Sequence, residues 1–218
     1  MNDVILPLLP CSSMCISGQT GSGKTRFVFR LLQNLTKMYA EEPPDAVMYC
    51  YGIHQPLFDQ MEEQIPNLFM KHGLPTQGEI EEFTKERKHR LVIIDDLAHQ
   101  LLNNPDMELL FTQGCHHRRL SVIFMTQNLF QKGSKSRTIA LNTYYLVLMK
   151  NIRDASQIAF LGRQLFPGKS RLLTDAYKDA THEPYGYLLI DASPHSEDKY
   201  RLRTHIFPGE YPVIYQSL

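Results

Sequence analysis

The stretch ISGQTGSGKTRF, residues Ile16 to Phe27, decides the fold class of this chain. Residues 18–25 within it match the pattern GxxxxGK[ST], whose glycines let backbone N–H groups turn inward around phosphate oxygens. An apolar strand-like run precedes the pattern and an amphipathic helical pattern follows it, which is the context of a phosphate-binding loop. We therefore predict that this loop binds the phosphates of a nucleotide, and that the helix N-terminus adds a partial positive charge.

The predicted nucleotide-binding residues form one continuous segment: Gly18, Gln19, Thr20, Gly21, Ser22, Gly23, Lys24 and Thr25. Lys24 is expected to reach the β- and γ-phosphates and to take part in catalysis. The hydroxyl of Thr25 is expected to ligate Mg²⁺, a hard cation that prefers oxygen ligands. ATP and Mg²⁺ are therefore the predicted cofactors. A chance glycine turn is the alternative, and the flanking strand and helix patterns argue against it.

Two aspartates end the apolar run LVIIDDL, residues 91–97. This run resembles a Walker B strand, and Asp95 is predicted to hold the Mg²⁺ shell through water. Asp96 stands where related ATPases usually carry a Glu that orients and deprotonates the attacking water. Aspartate is one methylene shorter than glutamate, so this role needs closer approach or an intervening group. An alternative interpretation makes Asp96 the N-cap of a following helix.

The next apolar run, LSVIFMTQN at residues 120–128, also ends in polar side chains. Many motor ATPases place a polar residue at this point to sense the γ-phosphate and to position water. Gln127 suits this role because its amide carries both a donor and an acceptor. An ordinary polar strand end remains the alternative for Gln127.

Apolar strand-like segments alternate with amphipathic helical segments, a pattern typical of a doubly wound α/β sheet. The strand candidates are residues 11–17, 46–52, 90–96, 120–127, 144–150, 185–192 and 200–207. The helix candidates are residues 24–42, 56–65, 78–88, 106–117, 153–166 and 170–180. The central strands are nearly continuous in apolar residues, as expected of parallel strands covered on both faces. The last two strands predict an antiparallel extension at an edge of the mostly parallel sheet.

Length and composition indicate one ordinary globular domain, predicted at residues 1–208, with residues 209–218 as a C-terminal tail. The 23 Lys and Arg residues balance the 23 Asp and Glu residues, so net charge gives no argument for nucleic acid or membrane binding. No apolar run is long enough to span a membrane, and the N-terminus does not read as a signal peptide. The four cysteines lack paired CxxC spacing and are predicted to be buried free thiols, which indicates a reducing compartment.

Arginines between the later strands are candidates for a contact in trans, because ring motors often complete one subunit's site with a neighbour's arginine. Arg137 ranks first, since it lies between Gln127 and the fifth strand candidate. Arg153 and the pair Arg118 and Arg119 are the other candidates, and a solvated or structural role is open for each. His116 and His117, next to Cys115, are interpreted as surface or helix-end residues. The basic loop formed by Lys132 and residues 133–137 is either solvated or a DNA phosphate contact.

Taken together, these motifs resemble the FtsK/HerA superfamily, and more closely the poxvirus-type genome-packaging ATPases of large DNA viruses and of Maverick/Polinton-like or adintovirus-like elements. The resemblance covers nearly the whole chain, and the block from Cys115 to Gln157 makes it narrow. The matching segments are SGQTGSGKTRF, MYCYG, LVIIDDL, GCHHRRLSVIFMTQNLF, SRTIALNTYYLVLMKNIRDASQI, EPYGYLLIDASP and RLRTHIFPGE. Asp96 departs from the usual glutamate.

The resemblance implies a RecA-like P-loop ATPase that forms a homo-oligomeric ring and pumps double-stranded DNA into a capsid. It implies Lys24, Thr25 and Asp95 as nucleotide and Mg²⁺ residues, and a capsid or portal-type viral protein as partner. The expected location is the host nucleus or cytoplasm and the virion, without secretion or a membrane partner. Two other functions stay open: a slow nucleotide-dependent switch or assembly protein, which Asp96 favours, and a P-loop metabolite kinase. The kinase interpretation has less support, because the sequence shows no arginine-rich lid segment after the fourth strand candidate.

Overall fold

The computed structural model describes residues 6–97, 118–129, 143–152 and 155–217. The strands in these ranges are β1 Ser13–Ser17, β2 Ala46–Tyr51, β3 Leu68–His72, β4 Arg90–Asp95, β5 Leu120–Thr126, β6 Tyr145–Met149, β7 Tyr187–Asp191, β8 Leu202–Thr204 and β9 Val213–Tyr215. They form one nine-stranded sheet in the order β3-β2-β4-β5-β1-β6-β7-β8-β9. All seven predicted strands are present, with bounds that differ by up to three residues.

The sheet is parallel from β3 through β6 and antiparallel from β6 through β9. This confirms the predicted fold class, a mostly parallel sheet with an antiparallel edge extension. Strands β3 and β9 were not predicted. Both lie at edges of the sheet, and their residues are mostly half-buried or exposed, so they lack the continuous apolar pattern of the central strands.

The helices in the described ranges are α1 Lys24–Gln33, α2 Leu35–Met38, α3 Pro56–Gln64, α4 Gln77–Thr84, α5 Ala155–Leu165 and α6 Ser170–Ala180. The segment predicted as one helix over residues 24–42 is divided at Asn34, whose φ of −124° and ψ of 18° are not helical. The side-chain amide of Asn34 donates to the carbonyl of Arg30 at 2.9 Å. The predicted helix at residues 106–117 lies outside the described residues.

Helices cover both faces of the sheet, which explains the apolar character of its central strands. One buried cluster joins the first three helices to the sheet, for example through Leu31 on α1 and Phe58 on α3. The other cluster joins the last three helices to the opposite face, through Ile80 on α4, Leu161 on α5 and Leu173 on α6. Successive residues of β4 alternate between the two clusters, as the pleat of a strand requires.

The antiparallel edge includes part of the predicted C-terminal tail. Strand β9, within residues 209–218, pairs with β8 through the partners Thr204 and Val213. The boundary at residue 208 stays a prediction, whereas the strand content of the segment is a structural finding. Across the ranges that the structure describes, no helix has both the length and the apolar character needed to cross a bilayer.

Candidate functional site

The predicted phosphate loop connects β1 to α1 at the carboxyl ends of the parallel strands. Gly18 N donates to the carbonyl of Thr126 at 3.2 Å, which ties the start of the loop to β5. Gly23 has a φ of 101°, a conformation that residues with a Cβ rarely adopt. At Gly18 a Cβ atom would lie 2.7 Å from Cβ of Met149, so a side chain does not fit there. The glycines of the motif are thus required by the backbone path of the loop.

The ammonium group of Lys24 lies inside this loop. Its Nζ donates to the carbonyl of Gly18 at 2.6 Å and to the carbonyl of Gln19 at 3.2 Å. Partial burial lowers the pKa of Lys24, while the negative charges of Asp95 and Asp96 act in the opposite direction. The lysine therefore stands between the loop backbone and the two carboxylates, where a phosphate group would meet it.

Asp95, at the end of β4, is buried and holds a defined hydrogen bond. The hydroxyl of Tyr49, a residue of β2 with no exposed surface, donates to Oδ2 of Asp95 at 2.8 Å. Burial raises the pKa of Asp95, and the hydrogen bond from Tyr49 and the charge of Lys24 oppose that rise. Burial also raises the pKa of Tyr49 well above its usual value, so this hydroxyl stays a donor at neutral pH. Tyr49 thus fixes the orientation of the carboxylate.

Tyr49 was not predicted as a site residue. It lies in an apolar run, and only the pairing of β2 with β4 brings its ring beside the strand that carries Asp95. A hydroxyl in a fully buried strand needs a hydrogen-bond partner, and this requirement is the signal that sequence analysis could have used.

We expect Tyr49→Phe to raise the Mg²⁺ concentration for half-maximal ATP hydrolysis by roughly 10- to 100-fold, the range for outer partners of metal ligands. The change removes only the hydroxyl that orients Asp95 and leaves the ring in its packing. Magnesium titrations of the hydrolysis rate measure the effect. Tyr145→Phe is the matched control, because the hydroxyl oxygen of this buried tyrosine accepts a hydrogen bond from Leu9 N at 3.0 Å, at the other end of the sheet. If both variants required the same Mg²⁺ concentration for half-maximal hydrolysis, Tyr49 would have no role in metal binding.

Asp96 and Gln127 form a pair at the mouth of the cleft. The amide Nε2 of Gln127 donates to Oδ1 of Asp96 at 3.3 Å, and both side chains are exposed. Asp96 has a φ of 54°, a left-handed conformation that is uncommon for residues other than glycine, asparagine and aspartate. Strand β5 lies between β1 and β4, so Gln127 stands between the phosphate loop and the aspartates. The helix that Asp96 would cap lies outside the described residues, so that alternative stays open.

Residues on neighbouring elements brace the polar end of β5. The side-chain amide of Asn151 donates to the carbonyl of Gln127 at 3.3 Å. On α5, Gln157 Nε2 donates to Oδ1 of Asn128 at 2.5 Å. These contacts link the end of β5, next to Gln127, to the segment after β6 and to α5. Asn151 and Gln157 were not predicted to contact this part of β5, because the contacts depend on which strands are neighbours in the sheet.

Of the predicted residues, Lys24, Thr25, Asp95, Asp96 and Gln127 line one cleft of about 490 Å³ at the carboxyl edge of the sheet, together with Thr20, Gly21 and Gly23 of the loop. Gly18, Gln19 and Ser22 belong to the same loop but do not line the cleft. Its lining residues are Thr20, Gly21, Gly23, Lys24, Thr25, Arg26, Gln55, Pro56, Leu57, Asp95, Asp96, Gln127 and Tyr185. The cleft therefore contains positive charge, two carboxylates, three hydroxyls and two side-chain amides around a glycine-rich loop. Such a set can hold a polyphosphate, a hard cation and a water molecule. These functional roles remain predictions.

Of the arginine candidates, the structure describes Arg118 and Arg119, and neither lines this cleft. Arg118 and Arg119 precede β5, at the opposite edge of the sheet. Arg119 pairs with Glu42, and Arg118 Nη2 lies 3.8 Å from Glu81 Oε1. Arg137 and Arg153 lie outside the described residues, as do Lys132, the loop 133–137, Cys115, His116 and His117.

The described cysteines are free thiols: Cys11, Cys15 and Cys50. Burial raises the pKa of Cys15 and of Cys50 to about 12 in each case, so both remain thiols at neutral pH. The prediction that the cysteines are buried is confirmed for Cys15 and Cys50 and is wrong for Cys11, which is only partly buried because it precedes β1 rather than lying within the strand.

The fold and the loop together define a class: the chain has the P-loop ATPase fold, a mostly parallel sheet with a phosphate-binding loop between its first strand and first helix. In fold, the chain is similar to B204, the DNA-packaging ATPase from Sulfolobus Turreted Icosahedral Virus, with a TM-score of 0.58 and 11% identity. That likeness covers 100% of both chains.

A second similar structure is the genome packaging NTPase B204 from Sulfolobus turreted icosahedral virus 2, in complex with ATP-gammaS. The TM-score is 0.54 at 13% identity, over 95% of this chain and 97% of the other. No protein-family model matches the chain, and no curated protein matches its sequence. At these identities the two likenesses concern the fold.

Proposed function

We propose that the chain is an ATPase that hydrolyses ATP with Mg²⁺ and translocates double-stranded DNA during viral genome packaging. The observation that carries the proposal is the single cleft that gathers the phosphate loop, Asp95, Asp96 and Gln127. The likeness in fold to two genome-packaging NTPases, over nearly the full length of each chain, supports the packaging role.

The loop and the start of α1 are proposed to bind the phosphates. Backbone N–H groups of the loop and the helix N-terminus attract negative charge, and Lys24 adds a full positive charge. The hydrogen bonds from Lys24 to Gly18 and Gln19 hold its ammonium group within the loop. The β- and γ-phosphates of ATP are the groups that match this arrangement.

Asp95 and Thr25 are the residues that fit a magnesium ion. Both line the cleft, and both offer the oxygen atoms that a hard cation prefers. Tyr49 occupies Oδ2 of Asp95 and so determines which carboxylate oxygen faces the cleft. When bound, Mg²⁺ neutralises the charge that develops on the phosphate oxygens.

Asp96 and Gln127 are proposed to act on the attacking water. Asp96 takes a proton from the attacking water while the water oxygen forms a bond to the γ-phosphorus. The bond between the γ-phosphorus and the bridging oxygen breaks, and ADP leaves with that oxygen. The amide of Gln127 keeps the carboxylate of Asp96 oriented through the 3.3 Å hydrogen bond. We propose that this contact and the left-handed backbone of Asp96 position the shorter acid for the role that glutamate has in related ATPases.

The finer assignment is to the FtsK/HerA superfamily and its poxvirus-type packaging ATPases, on the motif series described above. In that setting the chain forms a ring, and an arginine of a neighbouring subunit completes each site, with Arg137 as the first candidate. Duplex DNA and a capsid or portal-type protein are the proposed partners, in the infected nucleus or cytoplasm and in the virion. Because the net charge is zero, DNA contacts must come from local basic groups.

A slow nucleotide-dependent switch is the second candidate function. It is favoured by Asp96, whose carboxylate is already bonded to Gln127 and whose side chain is one methylene short. A switch of this kind binds ATP in the same cleft but hydrolyses it slowly, and DNA does not change that rate. The two functions therefore share the binding residues and differ in rate and in the response to DNA.

Particle mass in solution tests the ring and the substrate together. We expect the 25.2 kDa chain to form a closed ring of several subunits when ATP, Mg²⁺ and duplex DNA are present. Mass photometry of the full chain, with and without each component, measures this. The assembly on DNA should weaken steeply as salt rises, because phosphate contacts release counterions. A monomer at every protein concentration, with no DNA association, would count against the motor and favour the switch.

A further inference from the structure

The phosphate loop has a different environment on each of its two sides. Strand β1 lies between β5 and β6, with β4 beyond β5 and β7 beyond β6. The aspartates and Gln127 all stand on the β4 and β5 side. Strand β7 runs antiparallel to β6, and its first residue, Tyr187, pairs with Met149 at the end of β6. The segment that leads into β7 therefore reaches the same edge of the sheet from the other side.

Tyr185 stands in that segment and lines the cleft. Its side chain packs against the end of the phosphate loop, since a Cβ atom at Gly23 would lie 2.8 Å from Cδ1 of Tyr185. The residue is nevertheless 62% exposed, so much of its ring surface is not covered by the described chain. An exposed aromatic ring beside a phosphate loop offers a flat apolar surface at the point where a nucleotide leaves the loop.

The backbone around Tyr185 is held in one conformation. Tyr185 has a φ of 64°, which is a rare value for a bulky residue. Gly186 N donates to the carbonyl of Glu183 at 3.1 Å, and a Cβ atom at Gly186 would lie 2.4 Å from the carbonyl oxygen of Ala180. The turn is thus fixed by close backbone packing against the end of α6. A strained conformation of this kind persists where the surrounding structure enforces it, often at ligand sites.

The direction of a bound nucleotide follows from the charges. Its terminal phosphate belongs beside Lys24, Asp95 and the Asp96–Gln127 pair, where a metal ion and water have their ligands. The base at the other end of the molecule must then lie away from the aspartates. Tyr185 lines the cleft from the segment that leads into β7, which is on the side of the loop opposite to the aspartates.

We infer that Tyr185 is the stacking surface for the nucleobase and that this site consequently discriminates weakly between purine nucleotides. The inference rests on the proposed nucleotide binding at the phosphate loop. An aromatic ring attracts any base through its π-face and reads no hydrogen-bond pattern on the base edge. The triphosphate thus supplies most of the selectivity, and the ring supplies affinity for any base attached to it.

The contributions of the base and of the phosphates to binding are separated by comparing three ligands: ATP, GTP and inorganic tripolyphosphate. In calorimetric titrations of the full chain, Tyr185→Ala should weaken ATP and GTP alike by roughly 5- to 100-fold, the contribution of one base–aromatic stack. Binding of tripolyphosphate should be unchanged. Tyr185→Phe should behave as the parent chain, because the ring is retained. Tyr211→Ala, at a tyrosine that is 92% exposed outside the cleft, is the matched control.

The chain contains no tryptophan, so Tyr185→Trp introduces a single fluorescent reporter at the stacking position. Its emission should be quenched by ATP and by GTP but not by tripolyphosphate. Tyr211→Trp carries the same reporter on the surface and should respond to none of them. Together, the two reporters show whether a base lies against residue 185.

Each contrary outcome has a distinct meaning. An equal loss of ATP and tripolyphosphate in Tyr185→Ala would overturn the inference, because the ring would then act by supporting the loop at Gly23. Unchanged ATP affinity in that variant would place the base elsewhere and would also overturn it. If the parent chain bound neither ATP nor tripolyphosphate, the proposed nucleotide site would fail and the inference with it.

Discussion

Lys24→Ala is expected to lower the rate of ATP hydrolysis by roughly 10²- to 10³-fold, the cost of removing one group that stabilises developing charge. ATP binding should weaken as well. The physical reason is the loss of Lys24, the lysine among the described residues that line the cleft, where it faces the loop carbonyls on one side and two carboxylates on the other. Phosphate-release assays and direct ATP titrations measure the two effects separately.

The same variant should keep its fold. Lys24 is only partly buried, and its hydrogen bonds join atoms of the loop itself, so the apolar clusters are untouched. Its urea unfolding midpoint should therefore stay close to that of the parent chain. Lys37→Ala, which removes an exposed lysine from α2, should leave hydrolysis unchanged. If Lys24→Ala bound ATP as tightly as the parent chain, the phosphate site would be wrongly assigned.

Asp96→Asn is expected to lower the catalytic rate by roughly 10²- to 10⁴-fold, the usual contribution of a general base, while ATP still binds. Asparagine keeps the size of the side chain and can still accept a hydrogen bond from Gln127, but it cannot take up the proton of the attacking water. Single-turnover hydrolysis with bound ATP measures the chemical step without product release. The variant should consequently keep ATP bound without hydrolysing it in the proposed ring.

The response of Asp96→Asn also separates the two candidate functions. A motor loses a substantial rate, whereas a chain that hydrolyses ATP negligibly to begin with shows no change, which is the behaviour of a switch. Asp175→Asn, an exposed aspartate on α6 away from the cleft, controls for the loss of one surface charge. Asp96→Glu is a further variant, because it restores the side-chain length of related ATPases and should retain activity.

The parts of the fold that could be predicted are those that repeat a local pattern. The central strands are buried on both faces, so their apolar runs are continuous in sequence. Helix α6 was predicted at its observed bounds for a similar reason, because its buried face recurs at Leu173, Ala176 and Ala180. Edge strands such as β3 carry no such pattern, since one face or more meets solvent.

The predicted site residues were found through motifs, and the residues that the prediction missed depend on strand order. The glycine loop and the aspartates are contiguous in sequence and follow apolar runs. Tyr49 lies on β2 and Tyr185 lies in the turn before β7. No local sequence pattern places either residue beside the cleft, because that placement depends on the order of the strands. Sequence patterns identify which segments are strands but leave their order open, and the order is what assembles this cleft.

The rate of ATP hydrolysis with and without duplex DNA tests the central claim most directly. We predict that duplex DNA raises the rate severalfold for the full chain in Mg²⁺, that the rise disappears at high salt, and that Lys24→Ala shows none of it. A rate that is the same with and without DNA, at every protein concentration and at low salt, would contradict a DNA-translocating ATPase.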